Sequence, residues 1–229
     1  MNDLAAQLSD MARSLQQQDG MQDTLDGIVT AAVQTVPGAG HAGVMVVKGR
    51  RHIQTPAATD EVVRRVDRAQ YETRQGPCLD ATYEQQTVRL PDMAEETRWP
   101  DFSRRALTEG IRSMLSFQLY VEGDNLGALN LYSGLTSAFD DESEHVGLLF
   151  ASHAAVAMVG ARREQDLTRA ISVRDLIGQA KGILMERHKI TDDRAFQLLV
   201  RVSQHANVKL VEVARNLVET GELNDPRRP

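Results

Sequence analysis

Apolar positions change period along the chain, and each change predicts an element. Leu4, Leu8, Met11 and Leu15 recur at spacings of four, three and four, the narrow seam of a coiled-coil helix that Gly20 breaks. From about Asp23 a wider stripe of Leu25, Ile28, Val29, Ala32, Val33 and Val36 predicts an amphipathic helix ended by Pro37-Gly38. The run Gly43 to Val47 reads as a strand, Lys48-Gly49-Arg50 as a turn and Arg51 to Thr55 as a weaker strand. Val62, Val63 and Val66 place a helix over Asp60 to Tyr71, and Gln75-Gly76-Pro77 turns the chain into a short helical stretch from Cys78 to Tyr83. Thr87 to Leu90 predicts a strand stopped by Pro91, and Pro100 to Glu109 a helix stopped by Gly110.

Two stronger strands, Ser113 to Val121 and Leu126 to Tyr132, flank Glu122-Gly123-Asp124-Asn125 as a hairpin loop. From Asp140 the pattern is helical to the end. Asp140, Asp141, Glu142 and Glu144 complement a helix N-terminus, and Val146, Leu149, Phe150, His153, Ala154 and Ala157 are expected on its buried face. Three helices then share one small core. Val173, Ile177, Ala180 and Leu184 mark the first, and Thr191 is the expected N-cap of the second, which buries Ala195, Phe196, Leu198, Leu199 and Val202. Leu210, Val213, Ala214, Leu217 and Val218 mark the third, before Gly221. The fold class expected is α+β, an antiparallel sheet covered by helices, followed by an all-α module. No Pro or Gly-Ser linker separates them, and Arg162-Arg163-Glu164-Gln165-Asp166 still reads as helix, so the link is expected to be one long continuous helix. The expected division is an N-terminal helix at 1–19, an α+β domain at 20–162, the helical module at 163–223 and a tail at 224–229.

Composition narrows the classes. The 229 residues are 41% hydrophobic and 25% charged, which suits a chain that buries a core. No apolar run approaches the roughly 18–20 residues of a membrane span; the longest, Val146 to Val159, is broken by Ser152 and His153. The N-terminus lacks a basic segment ahead of an apolar one, so a cytoplasmic protein without membrane contact is expected. The single cysteine, Cys78, excludes an intrachain disulfide and a multi-cysteine zinc site. A net charge of −6 argues against nucleic acid as a partner until it is divided. Residues 162–229 hold 13 Lys/Arg against 10 Asp/Glu, whereas residues 1–161 hold 13 against 22. The acidity belongs to the first region.

Catalytic patterns are thin. There is no Gly-x-Ser-x-Gly, and no His lies near Cys78 in sequence. Cys78 is a small residue packed at a turn on the plain reading, and a candidate redox or sensor thiol on the functional one, because a helix N-terminus lowers a thiol pKa. The six histidines are scattered, and His153 reads as a hydrogen-bonded core residue. Gly38-x-Gly40-x-x-Gly43 runs from helix to strand, the reverse of a nucleotide-binding loop. A sensor, binding module or regulator is expected, not an enzyme.

Gln179-Ala180-Lys181-Gly182-Ile183-Leu184-Met185, with Ala195-Phe196, Ser203, Asn207, Lys209-Leu210 and Val213-Ala214, closely resembles the ANTAR domain. The resemblance implies a three-helix RNA-binding module of transcription antitermination, gripping stem-loops in leader RNA as a homodimer. Gly76-Pro77-Cys78-Leu79-Asp80-Ala81, Arg98-Trp99-Pro100 and Leu126 to Ser133 resemble the GAF domains found in front of ANTAR modules in actinobacteria. A GAF domain implies a sensory pocket with a small-molecule or protein input. No cofactor or ligand carries over, because Leu131, not Lys, follows Asn130, and Leu79, not His, follows Cys78. The RNA-contact candidates are Lys181, Arg187, Arg201, Lys209, Arg174, Ser203 and Asn207; Asn207 serves equally as a cap of the third helix. Phe196 is expected in the core and not under a base. The rival reading is a ligand-sensing or protein-interaction dimer in which the C-terminal helices only dimerise. A DNA-reading helix-turn-helix fares worse, because the third helix carries Glu212 and Glu219.

Overall fold

The computed structural model describes residues 9–15, 17–48, 52–83, 87–121 and 124–223. Its elements are α1 (9–15), α2 (Met21–Thr35), β1 (His41–Lys48), β2 (His52–Ala58), α3 (Glu61–Thr73), α4 (Pro77–Tyr83) and β3 (Thr87–Leu90), followed by α5 (Pro100–Thr108), β4 (Ser113–Val121), β5 (Asp124–Ser133), α6 (Asp141–His188), α7 (Asp192–Ala206) and α8 (Leu210–Thr220). The chain divides into two compact units, Met1–Arg163 and Glu164–Pro229. Helix α6 runs through the boundary, as its unbroken helical pattern predicts.

In the first unit the five strands form one antiparallel sheet in the order β2-β1-β5-β4-β3. Alternation along each strand splits the side chains between two covered faces. Leu115, Phe117 and Leu119 of β4 and Leu129 and Leu131 of β5 meet Leu25, Ile28, Val29 and Ala32 of α2, together with Val146, Phe150, Ala154 and Met158 of α6. Met114 and Tyr132 face the other way, toward Val63 and Val66 of α3 and Phe102 and Ala106 of α5. Burial on both faces explains the near-continuous apolar runs of β4 and β5. At Gly127 the backbone has φ 137, and a Cβ there would stand 1.9 Å from the Met45 carbonyl oxygen. Only glycine lets β5 pass β1 this closely.

Several expectations are corrected. Met11 and Leu15 are buried in the first unit's core beside α2, so this half of the proposed coiled-coil seam is used inside the chain; Leu4 and Leu8 lie outside the described residues. The hairpin is tighter than expected: Val121 pairs with Asp124 and Tyr120 with Asn125, which extends β5 two residues back into the four-residue loop, while β4 ends at Val121 as expected. The tip of the first hairpin, at 49–51, lies outside the described residues. On α6 the buried face is rotated: Ala151, Ala155 and Met158 are inside, while Leu149 and His153 face solvent. His153 is therefore no core histidine; its Nδ1 lies 2.8 Å from the Leu149 carbonyl of its own helix. One window of α6 has a mean hydropathy of 1.2, at the margin for a membrane span, yet 44% of it is buried within the protein.

The second unit is built on Ala180 and Leu184 of α6, Ala195 and Leu199 of α7, and Val213, Ala214 and Leu217 of α8. Lys189 and Asn207 take left-handed backbone conformations at the two turns, and Gly221 ends α8 in the same way. Thr191 occupies the N-cap position of α7, but its side chain makes no capping bond. Phe196 is 41% exposed, against the expectation that it fills the core. Position 196 sits at the margin of a stripe whose centre is already filled by Ala195 and Leu199.

Candidate functional site

Two arrangements in the molecule bear on function, one in each unit. In the C-terminal unit, Arg174, Gly178, Gln179 and Lys181 of α6 and Phe196 of α7 line one open groove of about 780 Å³. Lys181 Nζ lies 2.6 Å from Asp192 Oδ1, at the first turn of α7. The groove brings together two of the expected RNA-contact residues, Arg174 and Lys181. Lys209, at the N-cap of α8, lines a second groove with Arg169, Ser172 and Arg215, and Gln179 and Val173 border both. Arg201 is exposed on α7.

The remaining candidates hold the module together. Arg187 Nη1 donates to the Gly221 carbonyl at 2.5 Å, tying the end of α6 to the end of α8. Ser203 Oγ donates to the Val208 carbonyl at 2.6 Å across the α7–α8 turn. Asn207 ends α7 with φ 51, while the N-cap of α8 is Lys209; its capping role is at the second helix and not the third. Arg187 and the Asn207 backbone N–H satisfy carbonyls at helix ends, and Ser203 satisfies one in the turn between α7 and α8.

In the first unit a buried polar knot lies between α3 and the sheet. Asp67, fully buried, accepts from Thr55 Oγ1 at 2.6 Å, Gln70 Nε2 at 3.2 Å, Asn130 Nδ2 at 3.3 Å and the Tyr132 hydroxyl. Burial pushes the Asp67 carboxyl above its ordinary value, partly offset by these four donors. Gly43 makes the room: a Cβ there would come within 2.6 Å of Val63 Cγ1 and 3.3 Å of Asp67 Oδ2. Gln70 in turn accepts the Cys78 backbone N–H at 3.0 Å.

Cys78 is thus at the start of α4, as the sequence suggests, but wholly buried. Burial, and then the Asp67 charge, push its thiol well above the usual range. Desolvation outweighs whatever the helix N-terminus contributes, and the thiol stays protonated. Sequence reasoning missed the knot. Its signal was a carboxylate at 67 and an amide at 70, on the same helix face as Val63 and Val66.

Comparison with known proteins follows the same division. The GAF domain family matches residues 18–159, and the ANTAR domain family matches residues 165–218. No curated protein matches the chain. Among solved structures, the GAF domain of a Coxiella burnetii phosphoenolpyruvate-protein phosphotransferase aligns with a TM-score of 0.56 at 14% identity, covering 71% of this chain and 96% of that one. The free methionine-R-sulfoxide reductase of Neisseria meningitidis aligns with a TM-score of 0.52 at 16% identity, covering 69% and 89%. The photosensory core module of a Stigmatella aurantiaca phytochrome gives 0.60 at 10% identity; the alignment covers 88% of this chain and 44% of that module. At these identities the likeness is one of fold. GAF domains are sensory and ANTAR domains bind RNA, so both parts are regulatory. The chain belongs to the GAF domain family, its GAF domain at 18–159 being followed by an ANTAR domain at 165–218.

Proposed function

We propose that this chain is an RNA-binding transcription antitermination regulator, acting as a homodimer whose ANTAR modules grip stem-loops in leader RNA under control of the GAF domain. The observation that carries the reading is α6. Phe150, Ala154 and Met158 of this helix belong to the GAF core, and Ala180 and Leu184 of the same helix belong to the ANTAR core. An input that shifts α6 at one end has a continuous helix, and not a flexible tether, along which to reach the other. Residues 162–172 between the two cores are exposed on every side. A helical stretch of that length gains little by itself in water; pairing with the same stretch of a second copy supplies the missing packing. The GAF input is a small molecule or a protein, and the site of action is the cytoplasm.

Electrophoretic mobility of tandem-hairpin leader RNA, with the full chain and an excess of unrelated RNA as competitor, tests this. A complex that survives the competitor supports it. Loss of the complex to competitor at modest salt would overturn it. The second reading, in which the C-terminal helices only dimerise, draws on exposed Leu167 and Ile171. It is favoured if a dimer forms that never retards RNA.

A further inference from the structure

Phe196 is the one aromatic residue between 164 and 229, and it is spent on the surface. We infer that Phe196 is a stacking platform for an unpaired nucleobase of the RNA loop, held in the groove between Arg174 and Lys181; this rests on the RNA reading above. A half-exposed phenyl face leaves apolar area in water, and in a seven-residue core of small and aliphatic side chains it contributes little packing. A ring with one open face suits a base, because every base has a π-face, and loop recognition by proteins relies on such platforms.

The rest of the groove fits that occupant. Arg174 and Lys181 line the same groove as Phe196 and supply cations for the backbone phosphates of a strand whose base stacks there; among the described residues no carboxylate within 4.0 Å pairs with Arg174. Gln179 offers both a donor and an acceptor for a base edge, and Asp175 accepts from an exocyclic amino group. Gly178 leaves the helix surface open, with nothing within 4 Å of an added Cβ. A second protein copy fits poorly. Three of the nine lining residues are charged, whereas the centres of protein interfaces are depleted of charge.

The test uses the full chain and a synthetic hairpin pool with one fixed stem and a randomised loop, alongside the same stem as a blunt duplex. Phe196→Leu keeps the apolar volume and removes the π-face; Phe196→Trp keeps the face. Phe196→Leu is expected to weaken hairpin binding by about ten- to hundredfold, Phe196→Trp to retain it, and duplex binding to stay unchanged in both. Equal hairpin affinity for Phe196→Leu and the parent chain would overturn the stacking role while leaving RNA binding intact. A parent chain that prefers no hairpin over duplex removes the RNA reading and the inference together. A change in sedimentation of Phe196→Leu, without RNA, would assign the ring to a protein interface and overturn the inference. Circular dichroism checks that each variant folds, which the exposure of Phe196 makes the expected result.

Discussion

Lys181, in the last turns of α6, is joined to Asp192, in the first turn of α7, at 2.6 Å across the turn between them. The pair is partly solvated, so its contribution to stability is under about 1 kcal/mol. Its consequence for binding is larger. A phosphate that approaches Lys181 meets the repulsion of a carboxylate already seated on its ammonium. Asp192→Asn keeps the helix start and frees the ammonium. On the RNA reading it tightens hairpin binding and steepens the dependence of log Kd on log salt, whereas Lys181→Ala reduces that slope by about one. Fluorescence anisotropy across a salt series measures both. Identical slopes for all three proteins would place Lys181 outside the interface.

Gly182 follows Lys181 on an exposed face of α6, with nothing within 4 Å of where a Cβ would stand. Inside a helix, glycine is less favourable than alanine by roughly 0.5–1 kcal/mol. Gly182→Ala is expected to raise the Tm of the C-terminal unit and, on the RNA reading, to weaken hairpin binding by blocking close approach to the backbone. Calorimetry and filter binding on one preparation give the two readouts. Stabilisation with unchanged affinity would limit Gly182 to a cost in helix stability.

Asp67 makes a pH prediction with a definite sign. Its folded-state carboxyl titrates above the ordinary value of 3.8, so the folded chain keeps a proton that the unfolded chain has released. The stability this confers is fully present below the unfolded value and is lost as pH rises through the folded one. Asp67→Asn removes the titration. The advantage of the parent chain over the variant in urea unfolding is expected to shrink as pH rises above about 4, where the unfolded carboxyl ionises first, by no more than about 1.4 kcal/mol per pH unit for one proton. Parallel pH profiles would contradict the raised value.

Leu149, Val156, Leu167 and Ile171 of α6 are all exposed, at spacings of 7, 11 and 4 that keep them on one face of a 3.6-residue helix. The proposed dimer buries this face. Val156→Lys combined with Leu167→Lys is expected to shift the chain toward monomer in sedimentation equilibrium with little change in helical content, because 156 and 167 are 60% and 63% exposed. A dimer indifferent to both charges would have to form elsewhere.

What the residues determined unaided was whatever depends on local periodicity and on short strings. The strands at 87–90 and 113–121, the unbroken α6, the helical punctuation at Lys189 and Asn207 and the two family resemblances were all legible there. Such signals are carried by residues a few positions apart. The choice of face was decided only by tertiary packing. His153 and Phe196 sit on helices with apolar stripes, yet lie outside because Ala154, Ala155 and Leu199 already fill the space against their neighbours. The Asp67 knot draws donors from β2, α3 and β5, up to 65 positions from Asp67, and no window along the chain holds them. Helix propensity tells which residues share a turn. Which of them meet water depends on what the rest of the chain brings to the other side.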